Sequence, residues 1–467
     1  MNNKSVFLLI ILIAVLLTTQ GFQCGSPEFS GAKLRITQKD FKGAIALLET
    51  EVQKNPGNEE AWYLLGGLKA DQNDYAGMNV AFATALKISD KHAKEIRNYR
   101  YSKWGYHINL GVGYLERASS DSAQFFDLSI TEFNRAIEIW ADTSLTYRYL
   151  GIAYNNKGDL DNAQAAFQTA WDKGKDLDAL KRVGRIYFVK GNDLELKFED
   201  NNRDKIQIAK NLNEINKGSH KNDVMRAFGA PDNVRKAPPP PKGSKKPADK
   251  KEEWTYNNFN MVLEIDGEKV VNKKFTGTYK SGIDSALFKQ ALVHYDNAAR
   301  TLEIAKETDP KDNENLNFLL QAYVKSGKIK EAVKTFRLAV KNDPGNKTNH
   351  YILGILLRTD GDFQGGIEEF KTAYGIDSTY TDALFDLGAT LYNWGVDILK
   401  AADAKGEENT EYKKKFEEAL PYLEKVTEVK KDDPMVWETL GTIYARLGKS
   451  DLAMKAFDKA DKLRKGN

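Results

Sequence analysis

The sequence predicts a mainly α-helical protein, a solenoid of helical hairpins in two arrays, interrupted by a small α+β module of two helices and three strands. Three observations carry this. A pattern of Gly, aromatic and Ala residues recurs with a period of thirty-four residues, as from Gly354 to Gly388. Apolar residues around each such Gly fall at helical spacing. Between Lys190 and Ser281 the pattern stops, and apolar residues there alternate as strands do.

The last copy shows the pattern most fully: Trp437, Leu440, Gly441 and Tyr444 lie on one face of a first helix, and Ala453, Phe457 and Ala460 on one face of a second. Gly441 admits a closely approaching neighbour helix, and Gly448 supplies the left-handed turn that ends its own. Further copies are built on Trp62, Leu65, Gly66, Phe82 and Ala85; on Tyr147, Leu150, Gly151, Tyr154, Ala163, Phe167 and Ala170; and on Leu319, Tyr323, Gly327, Ala332, Phe336 and Ala339, where Leu320 replaces the Gly. In the first copy only the second helix is legible, through Ala44 and Leu48.

This grammar resembles the tetratricopeptide repeat family over most of residues 30–200 and 284–465. The resemblance implies a helical solenoid that binds proteins or extended peptide segments. Two copies depart from the period. Residues 116–126 are expected to lengthen one inter-helix hairpin, and residues 393–416 to extend both helices of another. Such extensions are either partner contacts or tolerated surface insertions.

The domain organisation expected is a signal peptide at 1–23, a first array at 25–200, the module at 205–280 and a second array at 284–467. The apolar run from Val6 to Leu17 after Lys4 has the length of a signal-peptide core. The chain's one cysteine, Cys24, follows it and resembles the lipid-modified first residue of a bacterial lipoprotein. Ordinary cleavage after Gly21 is the alternative. The first route predicts an outer-membrane lipoprotein facing the periplasm, held through an N-terminal lipid anchor; the second, a soluble periplasmic protein.

Within the interruption, Gly218, Val224, Phe228, Gly229 and Pro231 predict a short, sharply bounded helix. Trp254 to Tyr256, Met261 to Ile265 and Val270 to Phe275 predict three strands, with Asp266-Gly267 as a hairpin turn. In this order these residues resemble the SmpA/OmlA (BamE)-like family, the small lipoprotein subunit of the outer-membrane β-barrel assembly machinery. Ser219-His220 stands where that family commonly has Met-Thr, so no binding role is carried over to the loop. Four prolines from Pro238 to Pro241, followed by Lys242, Lys245 and Lys246, predict a disordered, solvated loop over residues 235–252.

A net charge of +3 on 467 residues makes no case for nucleic-acid binding. The five histidines lack metal-ligand spacing, no second cysteine is present, and no phosphate-cradling loop occurs, so neither enzyme activity nor a cofactor is expected. His107 and His294 read as packing residues inside hairpins.

In the family resembled, the first helix of each hairpin lines a groove, and side chains three before and one, four and five after the motif Gly face the ligand. Carried over, this gives Tyr63, Arg148, Asn155, Lys181 and Arg185 for the first array, and Tyr351, Arg358, Phe385, Tyr392 and Asn393 for the second. Arg148, Lys181 and Arg185 near Asn155 suit an acidic or carboxylate-bearing segment, whereas aromatics dominate the second set. No copy has the Lys and Asn pair with which co-chaperones of that family clamp a C-terminal carboxylate. A structural, homo-oligomerising envelope protein with no dedicated peptide ligand is the alternative function.

Overall fold

The computed structural model describes residues 25–118, 123–237, 250–406 and 409–465. The expected signal peptide, Cys24 and most of the Pro/Lys-rich loop lie outside the described residues. Among these residues are nineteen α-helices and one four-stranded sheet, so the mainly α class with a small α+β module stands. The chain divides into two compact units, one ending at Val183 and the other beginning at Gly184.

The first unit is a succession of hairpins: α1 (Pro27–Thr37) with α2 (Phe41–Lys54), α3 (Glu59–Asp71) with α4 (Tyr75–Ile88), α5 (Ala93–Arg117) with α6 (Gln124–Ile139), and α7 (Ser144–Lys157) with α8 (Leu160–Gly174). Three of the four second helices start on carboxylate caps: Asp40 accepts from the Gly43 amide at 3.0 Å, Asp74 from Gly77 at 2.8 Å and Asp159 from Asn162 at 3.2 Å. The illegible first helix is α1, begun by Ser26 as cap and Pro27 at its first turn, with Phe29 and Ala32 buried. Glu116 and Arg117 of the expected insertion continue α5, Gln124 begins α6, and residues 119–122 lie outside the described residues.

One contact recurs in these hairpins. A Cβ added at Gly66 would lie 2.5 Å from the Phe82 ring, at Gly111 2.5 Å from Phe133, and at Gly151 2.6 Å from Phe167. All three rings are fully buried. The Gly therefore exists to let the aromatic lie against helix backbone, and burying each ring contributes about 1.5–3 kcal/mol.

The second unit opens with the greater part of α9 (Leu177–Glu214) and continues through α10 (Lys221–Phe228), β1 (Asn233–Lys236), β2 (Lys251–Tyr256), β3 (Met261–Asp266) and β4 (Lys269–Phe275). Nine helices follow: α11 (Ala286–Thr308), α12 (Asn313–Ser326), α13 (Ile329–Asn342), α14 (Lys347–Thr359), α15 (Phe363–Ile376), α16 (Thr381–Lys405), α17 (Glu411–Val429), α18 (Pro434–Arg446) and α19 (Ser450–Lys465). Gly354 meets Phe370 and Gly441 meets Phe457 by the same contact, at 2.7 and 2.8 Å from the added Cβ. In the lengthened copy it occurs twice, Gly388 against Leu423 and Gly395 against Phe416, at 2.6 Å each.

The same double contact relocates the interruption. Gly184 meets Leu302 at 2.6 Å and Gly191 meets Tyr295 at 2.7 Å, so α9 and α11 are the two helices of one hairpin. Phe188, Tyr295 and Leu302 share one core cluster with Leu316, Phe336 and Ile352. The break expected between two arrays at residues 200–284 thus falls inside a hairpin, whose connection is the α+β module. The Gly spacing and its partners were visible separately, but nothing local links Gly184 to a Leu over a hundred residues on.

The module is not a loose insertion. The same α9 runs on past the hairpin, and its Leu212, with Ile215 just beyond, enters the module core with Val224, Trp254, Tyr256, Met261, Leu263, Ile265 and Val270. Buried Asn202 donates to the Asp284 carbonyl at 3.2 Å and accepts from its amide at 3.0 Å, fixing the returning chain to the helix. Lys273 donates to the carbonyls of Leu212 and Ile215 at 2.7 Å, satisfying the end of α9.

The sheet is an antiparallel meander, β1-β2-β3-β4, with Trp254 opposite Leu263. It has four strands where three were expected. β1 is wholly exposed, so Asn233 to Lys236 show no apolar alternation, and it exists because β2 offers an edge to pair with. Arg235, Lys236, Lys251 and Glu252 are therefore strand residues, at the ends of the span expected to be loop. The short helix and the turn at Gly267, with φ of 60°, are as expected.

Gly354→Ala is expected to destabilise by about 1–3 kcal/mol through the Phe370 clash. Gly375→Ala, which meets nothing within 4 Å in the same hairpin, is expected to be neutral or mildly stabilising. Urea unfolding of the two variants measures the difference; equal effects would show the wedge contact to be unimportant.

Candidate protein-binding faces

The residues singled out on the first helices are for the most part engaged within the protein. In the first unit the Tyr63 ring stacks on His92, centroids 4.2 Å apart and nearly parallel, and His92 Nδ1 is 2.8 Å from Glu59. Arg148 pairs with Asp176 at 3.4 Å and lies over the Tyr149 ring. Asn155 and Lys181 are half-buried.

Arg185 belongs to the second unit, where it pairs with Glu314 at 2.7 Å and lies over Phe318. The basic set expected to read an acidic segment is thus divided: Arg148 and Lys181 fall in one unit and Arg185 in the other, and both arginines already hold a carboxylate. An incoming acidic group would have to displace Asp176 or Glu314, which lowers the gain from binding. Neither partner was named from the sequence, because offsets from the motif Gly do not reach the residues that neighbouring helices present.

The second unit assembles a more compact constellation. Tyr351 of α14 donates to Asp386 Oδ2 at 2.7 Å, and Arg358, two turns further along α14, donates to Oδ1 of the same carboxylate at 2.6 Å. The Arg358 guanidinium lies over the Phe370 ring, and Tyr351 packs 5.0 Å from Tyr380. Lys347 lies over Tyr380 and pairs with Asp377. Asp386, on α16, is the residue that sequence reasoning missed: it sits two before its motif Gly, outside the offsets counted. Its place in the next first helix, facing α14, is what joins two expected residues into one site.

Electrostatics keep these phenols as donors. Burial, then the Asp386 charge, pushes the Tyr351 hydroxyl far up from its ordinary value, and burial pushes Tyr380 up to about 12. Asp377 is held down at about 2 by hydrogen bonds from Lys347 and Thr379. Of the remaining expected residues, Phe385 is half-buried with Lys430 beside its ring, Tyr392 stacks on Phe416 at 5.2 Å, and Asn393 is exposed. The face therefore presents rings and internally paired charges, suited to an extended segment with apolar side chains and hydrogen-bonding backbone.

Among the described residues there is no group of three or more His, Cys, Asp or Glu side chains that could hold a metal ion, and no helix is long and apolar enough to cross a membrane.

The hairpins of the second unit match a known family. The tetratricopeptide repeat model matches residues 290–347, 319–381 and 412–467, all in the second unit. Residues 290–381 and 412–467 thus carry tetratricopeptide repeats, hairpins of two helices that stack into a solenoid. Among solved structures, a crystal structure of MamA is 23% identical over 39% of this chain and 96% of its own, with a TM-score of 0.29. A second MamA structure is also 23% identical, over 38% and 86%, with a TM-score of 0.28. No curated protein matches the chain.

Two measurements check the site. Asp386→Ala leaves Tyr351 and Arg358 without their shared acceptor, and is expected to destabilise by about 1–3 kcal/mol in denaturant unfolding. Asp377, depressed in the folded chain, contributes stability that is present above the ordinary carboxylate range and lost as pH falls through about 2. The thermal midpoint of Asp377→Asn should therefore lie below that of the parent at neutral pH and converge with it in strong acid.

Proposed function

We propose that this protein is an exported, membrane-tethered scaffold that docks proteins of the bacterial envelope, including those that assemble the outer membrane. The observation that carries the reading is the ring-rich face of the second unit, where Tyr351, Arg358 and Asp386 are held by adjacent first helices of a repeat type built for protein interaction. Export and tethering rest on the apolar run from Val6 to Leu17 and on Cys24 behind it. The link to outer-membrane assembly rests on the SmpA/OmlA-like order of Gly218, Val224, Phe228, Gly229, Pro231, Trp254 and Tyr256, together with the helix and sheet these residues build. In this reading the module at 205–280 and the faces at Tyr63, Arg148, Asn155 and Lys181, and at Arg185, Tyr351, Arg358, Phe385, Tyr392 and Asn393, are the docking elements.

A second reading, self-association through the last hairpin, draws on one observation. Phe457 is 37% exposed, whereas Phe82, Phe133, Phe167, Phe336 and Phe370 at the same repeat position are fully buried. Light scattering on the soluble chain separates the two.

Photo-crosslinking residues placed at Arg148, Lys181 and Tyr351 in living cells are expected to trap envelope proteins; no protein adduct at any of the three sites would refute the docking claim. Cys24→Ser is expected to move the protein from the membrane to the soluble fraction, and unchanged fractionation would refute the tether.

A further inference from the structure

Four residues before the motif Gly, this chain uses two kinds of ring. Trp62 and Trp437 are one kind. Each donates its indole N–H to the carbonyl six residues upstream, Trp62 to Pro56 at 2.9 Å and Trp437 to Lys431 at 3.0 Å. The residue preceding the wedge aromatic in those hairpins is Ala81 or Ala456, and in the Tyr147 hairpin it is Ala166. In the hairpins of Gly111 and Gly354 the ring is instead His107 or His350, and the residue preceding the wedge aromatic is Glu132 or Glu369. The exchange is concerted: a broad ring goes with Ala, and an imidazole goes with a carboxylate that reaches it.

Hydrogen-bond counting bears on the charge of both imidazoles. His350 Nε2 lies 3.0 Å from the Pro344 carbonyl, six residues upstream, and so takes the place of the indole N–H. A carbonyl has no proton to give, so Nε2 must donate. The other nitrogen, Nδ1, lies 2.6 Å from Glu369 Oε2, which also only accepts when ionised. His107 repeats the arrangement: Nδ1 is 2.5 Å from Glu132 Oε2, and Nε2 meets the Tyr75 hydroxyl. That hydroxyl also reaches Asn73 Oδ1 at 2.8 Å, and while its one proton is given there it accepts from His107. Both imidazoles are buried, at 2% exposure for His107 and 5% for His350.

We propose that His107 and His350 are imidazolium ions in the folded chain and that the two His–Glu pairs are proton-controlled joints, closed while the ring is charged and weakened when it deprotonates. A neutral imidazole has one N–H, so deprotonation turns a lone pair toward a buried acceptor at His350 and takes one donor from the His107 hairpin, where the Tyr75 hydroxyl must turn away from Asn73 to compensate. The groups facing His107 are Glu132 of α6, whose other oxygen takes Arg135 at 2.6 Å, the Tyr75 phenol of α4, kept protonated because burial pushes it up, and the neighbouring Tyr106 ring. Facing His350 are Glu369 of α15 and the Pro344 carbonyl. The hydrogen bonds favour the charged form, so the stabilisation is present while the rings are protonated and lost as rising pH removes the proton. His350 precedes Tyr351 on α14, so loosening this joint reaches the face around Asp386 whatever binds there.

Two measurements on the full chain test this. Nitrogen-15 NMR of histidine-labelled protein at about pH 7 should show two of the five histidines with both ring nitrogens protonated. Neutral tautomers at His107 and His350 would overturn the proposal without any variant being made. Second, hydrogen-exchange protection of the α14 and α15 amides, corrected for intrinsic exchange, should fall about tenfold in the parent as pH is raised until NMR shows the His350 ring neutral. It should stay level in the double variant His350→Trp, Glu369→Ala, which installs the ring and Ala that the chain already uses at Trp62 and Trp437. An equal fall in that variant would show that the joint is not what the proton controls.

Discussion

The fold depends on one close approach: a Gly on the first helix of a hairpin set against an aromatic or Leu of the second. Seven ring contacts of this kind, from Gly66 with Phe82 to Gly441 with Phe457, would each place a Cβ inside van der Waals distance. The consequence is a fixed interhelical spacing in those hairpins, and a repeat whose period is set by packing. Where the Gly is replaced, as by Leu320, the hairpin still forms, because Phe336 stays fully buried among Leu316, Leu319 and Tyr323.

The same contact explains how a foreign module can sit inside the second unit without breaking it. Gly184 and Gly191 on α9 and Leu302 and Tyr295 on α11 hold their hairpin shut across the insertion, as Gly388 and Gly395 hold the α16–α17 hairpin across its own extension. Loop length enters closure entropy only logarithmically, so a well-packed hairpin tolerates a long connection. What ties the module to the hairpin is separate. One uninterrupted helix serves both cores, and Asn202 and Lys273 bind the returning chain and a sheet strand to that helix.

The charged residues on the exposed faces follow a different logic. Arg148, Arg185 and Arg358 each have a carboxylate from elsewhere in their own unit, and each also lies over a ring. Such pairs orient side chains and leave aromatic surface for contact, and they weaken the case for simple recognition of acidic segments. The His–Glu pairs belong to the same logic, a polar contact replacing an apolar one where the repeat pattern allows it.

What the sequence by itself determined is what neighbouring residues decide: the helices, whose faces repeat within a few residues; their Asp and Gly boundaries; the short helix ending at Gly229; and the three strands whose side chains alternate around Trp254, Leu263 and Val270. His107, read as a packing residue inside its hairpin, is buried there. Only the tertiary structure decided the rest. β1 has no pattern of its own and is created by the edge of β2. The pairing of α9 with α11, and the partners Asp386, Asp176 and Glu314, bring together residues that no period connects. A repeat specifies what each helix offers its nearest neighbour, but which charge meets which depends on how successive helices are stacked, and that is a property of the packed chain.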